Sequence, residues 1–417
     1  MIAYHALFLI VFVGTTAFFT GLSILNLRYG ERTVRKEAEW VAETLDVEDV
    51  ERLIDYQRTK TRLSLAQTWV LVAIVLAILY SGAFAAVVER LEATGIGPLA
   101  AGIVFFVGIT VALQVFSLPF DAVDTFVVEE RFGFNQTTPG LFLRDAALGL
   151  LIGSLFVAVL GGGVLFVIER FPSVWWLAAL LLYVGFSLTM LVIYPRVIAP
   201  LFNDFEPVES DDLREAVTDV FERAGFSTSA IYVMDASRRS SHSNAYFTGF
   251  GRTKRVVLFD TLLSRLSVSE VKAVLAHELA HWKYGHVWRR FVVGSVRVGV
   301  VLFVFWYLLQ TNWLYSMFDV PLGVAYAGLI VAALWVRPLS KLTRPLENRL
   351  SLKHEREADA FAVDVMEEGT ALSNALQKLA GENLSNPFPH PVYAEFHYSH
   401  PPLPDRMRYI RDRSGSQ

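Results

Sequence analysis

Cysteine is absent from all 417 residues. No disulfide and no thiolate metal site can form, and redox compartment cannot be read from the composition. Charge is also sparse. Only 19% of residues are Asp, Glu, Lys or Arg, against about a quarter in ordinary soluble domains. Lysine occurs eight times beside 29 arginines, a weak pointer to a GC-rich or salt-adapted source. The net charge of −4 leaves no basic excess, which argues against a nucleic-acid partner. Internal repeats and low-complexity segments are missing too.

Apolar length is what the chain has in abundance. The composition is 53% hydrophobic with a mean hydropathy of +0.41. Seven runs approach or exceed the length that crosses a bilayer: Leu7 to Leu27, Leu65 to Val88, Pro98 to Phe120, Ala146 to Ile168, Val174 to Tyr194, Phe291 to Leu309, and Val320 to Val336. The last two are the weakest, because Arg297 interrupts one and the other is short. The first run lacks a basic leader and is long enough to span, so it is expected to be retained rather than cleaved.

Basic residues are unevenly shared between the loops. None precedes the first run, whereas eight follow it: Arg28, Arg32, Arg35, Lys36, Arg52, Arg58, Lys60 and Arg62. Arg90 stands alone in the next loop, Arg131 and Arg144 in the one after, then Arg170 alone. The segment from Pro195 to Arg290 and the C-terminal tail are rich in both Lys and Arg. The positive-inside rule therefore predicts an outside N-terminus and a cytoplasmic C-terminus.

Four parts are expected along the chain: spans one to five over 1–199, a first polar part over 200–290, spans six and seven over 291–336, and a second polar part over 337–417. A small polar domain is thus split by a membrane hairpin. In its first part Asp211 to Arg223 reads as a helix ended by Gly225. Ile231 to Met234, Ala245 to Thr248 and Val256 to Phe259 read as short strands. In its second part Pro345 suits a first helical position, and Leu346 to Met366 reads as one long charged helix.

With only nine histidines, His277-Glu278-Leu279-Ala280-His281 carries information. Chance would produce HExxH in such a chain about one time in a hundred. On a helix the two imidazoles share a face and can grip one Zn²⁺, and Glu278 can serve as base toward water. The context is helical. Ser267-Val268-Ser269-Glu270 reads as a capping box, Val271, Val274, Leu275, Leu279 and Trp282 have helical spacing, and Gly285 suits a stop.

A catalytic zinc takes three protein ligands and keeps one position open. Glu355-Arg356-Glu357-Ala358-Asp359 offers the third. Glu355 and Asp359 lie one turn apart on one face. The first could bind zinc, and the second could accept the free N–H of a ligand histidine. Glu357 competes with Glu355 on chemistry alone. His400, in His397-Tyr398-Ser399-His400-Pro401-Pro402, could hydrogen-bond an oxyanion if it lies near the metal. His286 and His354 flank the motifs and are read as structural or exposed.

The chain resembles the integral-membrane CAAX prenyl protease 1 family, also called the a-factor-converting zinc metalloproteases. The resemblance rests on Phe126 to Thr138, Ile198 to Asn203, Ser240 to Phe247, Lys254 to Leu263, His277 to Trp282 with His286, Ser351 to Asp359, and Phe396 to Arg406. It implies a mainly α, polytopic fold of seven transmembrane helices around a chamber, with a small α+β zinc metalloprotease domain on the cytoplasmic side. It further implies one Zn²⁺ per chain on His277, His281 and Glu355, with Asp359 supporting them. Glu278 and His400 would be catalytic. Asn244, Ala245 and Tyr246 would form an edge strand that takes up substrate. The expected reaction is hydrolysis near the C-terminus of prenylated CAAX-type proteins or peptides.

The chain departs from that family in carrying Leu352 where an arginine is usual and Ala280 where glycine is common. It shows no lysine-rich retrieval tail, which favours a prokaryotic plasma membrane. Two other functions fit parts of the sequence. A broad quality-control membrane protease would share HExxH and the glutamate but have fewer spans. A seven-helix receptor or channel would leave the metal set idle, and a retinal protein would need a lysine that Val320 to Val336 lacks.

Overall fold

The computed structural model describes residues 1–208, 210–226, 230–242, 245–248 and 255–415. Among them seven helices are long and apolar enough to cross a membrane: Ile2–Lys36, Val50–Tyr80, Pro98–Glu129, Pro139–Arg170, Trp175–Phe202, His286–Leu309 and Ala325–Leu342. At 1.5 Å per residue, the 35 residues of the first reach well past a hydrocarbon core of about 30 Å. The apolar stretches of the first six helices are only 6% to 17% buried within the protein. Leu151, Leu155, Leu181 and Val296 face outward. In water this would be a large exposed apolar surface, so these faces belong against lipid. The seventh helix differs. Its apolar stretch is 44% buried, and Tyr326, Ala327, Val331 and Ala332 are enclosed by Phe8, Phe105 and Leu165.

Two runs end elsewhere than hydropathy suggests. The run Leu65 to Val88 breaks at Tyr80, because Gly82 adopts φ 77° and a separate helix, Ala83–Glu92, follows. The run Val320 to Val336 begins as a turn through Pro321 and Gly323 (φ 82°). Its helix starts only at Ala325 and continues through Pro338 to Leu342. Apolar runs report burial in lipid, not the bend that a glycine permits.

The polar ends of the spans are tied together by ions. Lys60 Nζ reaches Asp124 Oδ2 at 2.7 Å and Glu129 Oε1 at 2.8 Å, where the third helix widens into a π turn. Arg297, which interrupts the sixth span, pairs with Glu347 at 2.8 Å. An intramembrane arginine thus meets a carboxylate rather than lipid.

The polar part holds a four-stranded sheet: β1 (Phe205–Pro207), β2 (Ala230–Met234), β3 (Ala245–Thr248) and β4 (Arg255–Phe259). Their order is β1-β2-β4-β3, with β2 and β4 parallel and both outer pairs antiparallel. Thus β3 is an edge, in register Ala245 opposite Leu258. Ile231, Val256 and Leu258 pack with Val217 and Phe221 of the helix Asp211–Arg223 and with Leu275 and Leu279 of the HExxH helix. Each fully buried leucine contributes about 1.5–3 kcal/mol.

One close approach anchors this part to the first span's extension. The helix Thr370–Glu382 crosses the helix Ala38–Leu45, and a Cβ on Gly381 would stand 1.9 Å from the Leu45 carbonyl oxygen. Backbone cannot yield as a side chain can. Gly381→Ala is expected to cost about 1–3 kcal/mol or more through overpacking, read as a lowered midpoint of thermal unfolding in detergent. Gly108→Ala, where a Cβ meets nothing within 4 Å, should be neutral or slightly stabilising.

Candidate active site

Two helices build the site. The first, Val268–Lys283, opens with a capping box in which Ser267 N donates to Glu270 Oε2 at 2.7 Å and Glu270 N donates to Ser267 Oγ. The second, Arg344–Met366, has Pro345 in its first turn. They meet through small residues: Ala276, Ala280, Ala358 and Ala362 are all 0% exposed. Alanines at i and i+4 let the backbones approach, which brings His277 and His281 opposite Glu355 and Asp359. Ala280, where the resemblance leads one to expect glycine, lies inside this contact.

His277 Nε2 lies 3.4 Å from Glu355 Oε2, and His281 Nε2 lies 3.5 Å from Glu355 Oε1. These separations are long for hydrogen bonds. They suit ligands on one ion: with bonds of about 2.0–2.1 Å at tetrahedral angles, two donor atoms stand about 3.3 Å apart. One donor atom from each of His277, His281 and Glu355 lies within 4.8 Å of the others. The donor set, two imidazoles and a carboxylate, is one that zinc accepts.

The remaining atoms of these side chains are occupied. His277 Nδ1 is 2.9 Å from Asp359 Oδ1. Arg406 grips Asp359 in bidentate fashion, Nε to Oδ2 at 2.9 Å and Nη2 to Oδ1 at 2.5 Å. His400 Nδ1 meets Glu355 Oε2 at 2.6 Å, and Arg290 Nη2 approaches Oε1 at 3.4 Å. Burial works against the charge on Glu355 and Asp359, yet both carboxyls fall below their usual range. His277 and His400 hold Glu355 ionised; Arg406 and His277 hold Asp359. Burial likewise opposes charge on His277, but Asp359 and Glu355 outweigh it and raise the imidazole to about 9. His281 goes the other way, to about 3, through burial and the neighbouring His277 charge. Burial pushes the Glu278 carboxyl up, while His277, His400 and Arg406 work to keep it ionised.

The structure thus brings together His277, Glu278, His281, Glu355, Asp359 and His400. It separates Glu357 from the pair: that carboxylate is one-third exposed and faces His286 Nε2 at 2.8 Å. Of the two readings of His286 and His354, structural or exposed, burial favours the structural one, since both are 0% exposed. Each is covered where the HExxH turn folds back on the second helix. Ala245 and Tyr246 lie in the edge strand β3, and Asn244 falls outside the described residues. Arg406 and Arg290 were not legible as site residues. Arg406 acts from a C-terminal helix, Leu403–Ser414, and the only signal for it was its place at the end of a recognised motif.

Both site helices run directly into spanning helices, Lys283 into the sixth at His286 and Leu342 out of the seventh into Arg344. Seven membrane-length helices joined to a HExxH helix and its facing glutamate define a multi-pass membrane metallopeptidase. A profile described as the CAAX prenyl protease N-terminal region with five membrane helices matches residues 30–204, and one for peptidase family M48 matches 207–414. A CAAX prenyl protease 1 homolog of Arabidopsis thaliana is 36% identical over 312 residues, covering 73% of this chain and 72% of its own length. CAAX prenyl protease 1 of Saccharomyces cerevisiae is 34% identical over 325 residues, covering 72% and 70%. The crystal structure of S. mikatae Ste24p superposes with a TM-score of 0.81 at 26% identity, over 95% of this chain and 99% of that one. The chain belongs to the CAAX prenyl protease 1 family, within peptidase family M48.

Proposed function

We propose that this chain is a zinc endopeptidase that hydrolyses peptide bonds near the C-terminus of prenylated CAAX-type proteins or peptides. The observation that carries the metal is the pair of Nε2-to-carboxylate separations, 3.4 and 3.5 Å, around Glu355. His277, His281 and Glu355 would hold one zinc, with Asp359 orienting His277. Bound zinc supplies Lewis acidity toward the scissile carbonyl and makes water a better nucleophile at neutral pH.

The chain's own residues do the rest. Glu278 takes the proton from the attacking water and returns it to the leaving amine. Its burial supports that role, because a carboxyl whose proton affinity burial raises is a stronger base. His400 spends Nδ1 on Glu355, and its ring is more than half exposed. With Nδ1 donating to Glu355, the ring would donate to the developing oxyanion through Nε2 as an imidazolium. The edge position of β3 supports Asn244 to Tyr246 as the strand onto which an extended substrate adds by main-chain pairing. The loop charges support an outside N-terminus and a cytoplasmic metalloprotease domain. The alternation of membrane-length helices with polar segments supports the four-part division 1–199, 200–290, 291–336 and 337–417.

Purified protein incubated with a prenylated peptide and its unprenylated twin, each with and without chelator, tests the reading. Chelator-sensitive cleavage of the prenylated peptide alone is expected. Equal cleavage of both would make it a general membrane protease, and cleavage indifferent to chelator would remove the metal from the mechanism.

A further inference from the structure

The second nitrogen of His281 is not turned to solvent. His281 Nδ1 stands 3.0 Å from His286 Nδ1, and His286 Nε2 stands 2.8 Å from Glu357 Oε2. The geometry needs a sharp reversal. Gly285 takes φ 68° directly after the HExxH helix and caps the sixth span, which brings His286 alongside His281. His286 is wholly buried, and the His354 ring stacks on it at 3.9 Å with planes 11° apart. Neither ring nitrogen of His354 finds a hydrogen-bond partner among the described residues.

Two ring nitrogens facing each other at 3.0 Å share one proton, and its owner can be assigned. If His281 meets the metal through Nε2, its proton sits on Nδ1. His286 Nδ1 is then the acceptor, and the His286 proton sits on Nε2, aimed at Glu357. Every donor in the chain finds an acceptor, and the terminal acceptor is a carboxylate. We propose that His286 is a positioning residue that, with Glu357, fixes the tautomer and ring orientation of His281. This rests on the zinc reading above. Such partners of a ligand imidazole typically carry 10–100-fold in metal affinity.

The same residues could be taken for a second metal site, since donor atoms of His286, His354 and Glu357 lie within 4.8 Å of one another. Two features count against it. A metal on His286 Nε2 would leave a proton on Nδ1, opposed at 3.0 Å to the proton on His281 Nδ1. The stacked rings also carry in-plane lone pairs that run nearly parallel, whereas ligands of one tetrahedral ion must converge at about 109°.

The test uses the full chain in detergent, with His286→Leu, His286→Gln, His354→Leu and Glu357→Ala variants. Zinc affinity is read by competition with a chromophoric chelator, and site symmetry by the visible absorption of the Co²⁺-substituted protein. His286→Leu should weaken zinc by about 10–100-fold and alter the cobalt spectrum. His286→Gln, whose carbonyl accepts and whose amide donates, should recover much of both. Glu357→Ala should cost a few-fold, and the wild type and His354→Leu should each hold one zinc. Unchanged affinity and spectrum in His286→Leu would overturn the proposal, as would two zincs in the wild type falling to one in His354→Leu. A wild type that binds no zinc would instead defeat the zinc reading on which this one depends.

Discussion

Glu278→Gln is expected to keep its metal and to lose about a hundredfold or more in turnover, the usual range for a missing general base. The amide has nearly the same shape as the carboxylate, so the helix and its packing should be undisturbed. It cannot take a proton from water. Metal should persist because the three donor atoms that converge come from His277, His281 and Glu355, and Glu278 is not among them. The pair of measurements to make is metal content and turnover at saturating peptide. Turnover within a few-fold of the parent would place the base elsewhere. Lost metal would mean that Glu278 supports the ligand set rather than the reaction.

Local signals explain what the sequence discloses well. Ser267 and Glu270 are three residues apart, and their mutual hydrogen bonds form without help from the rest of the fold. The spans are legible because lipid-facing helices need only length and apolarity. Boundaries at Gly82 and Gly323 are not, because a glycine in a run of apolar residues leaves the average unchanged while φ turns positive. The third ligand was ambiguous for a related reason. Glu355 and Glu357 are chemically alike, and only the packing of Ala276 and Ala280 on Ala358 and Ala362 decides which one faces inward. Arg406 is remoter still: it reaches Asp359 across 47 residues of chain. Gly285 reads in sequence as a helix stop. That its turn also folds His286 back onto His281 depends on where the sixth span goes.

Glu355→Ala is expected to abolish tight metal binding, while Glu357→Ala holds one metal with modestly weakened affinity. The difference lies in burial and surroundings. Glu355 is 1% exposed and is the only side chain that faces both His277 Nε2 and His281 Nε2 among the described residues. It also answers His400 and Arg290. Removing it strips one of three donors and leaves the Arg290 guanidinium beside a divalent ion with no carboxylate between them. Affinity should fall by far more than the 10–100-fold that a supporting partner carries. Stability should fall too, since groups paired with a buried carboxylate lose their partner. Thermal unfolding of the metal-free proteins would separate that loss from lost ligation. Glu357, one-third exposed, reaches the ligands through His286, so its removal loosens His281 without emptying a coordination position. Metal analysis of the two variants side by side decides between the carboxylates. Loss of metal in the Glu357 variant alone would exchange their roles. Equal loss in both would mean that the support Glu357 gives through His286 is as costly to remove as the ligand itself.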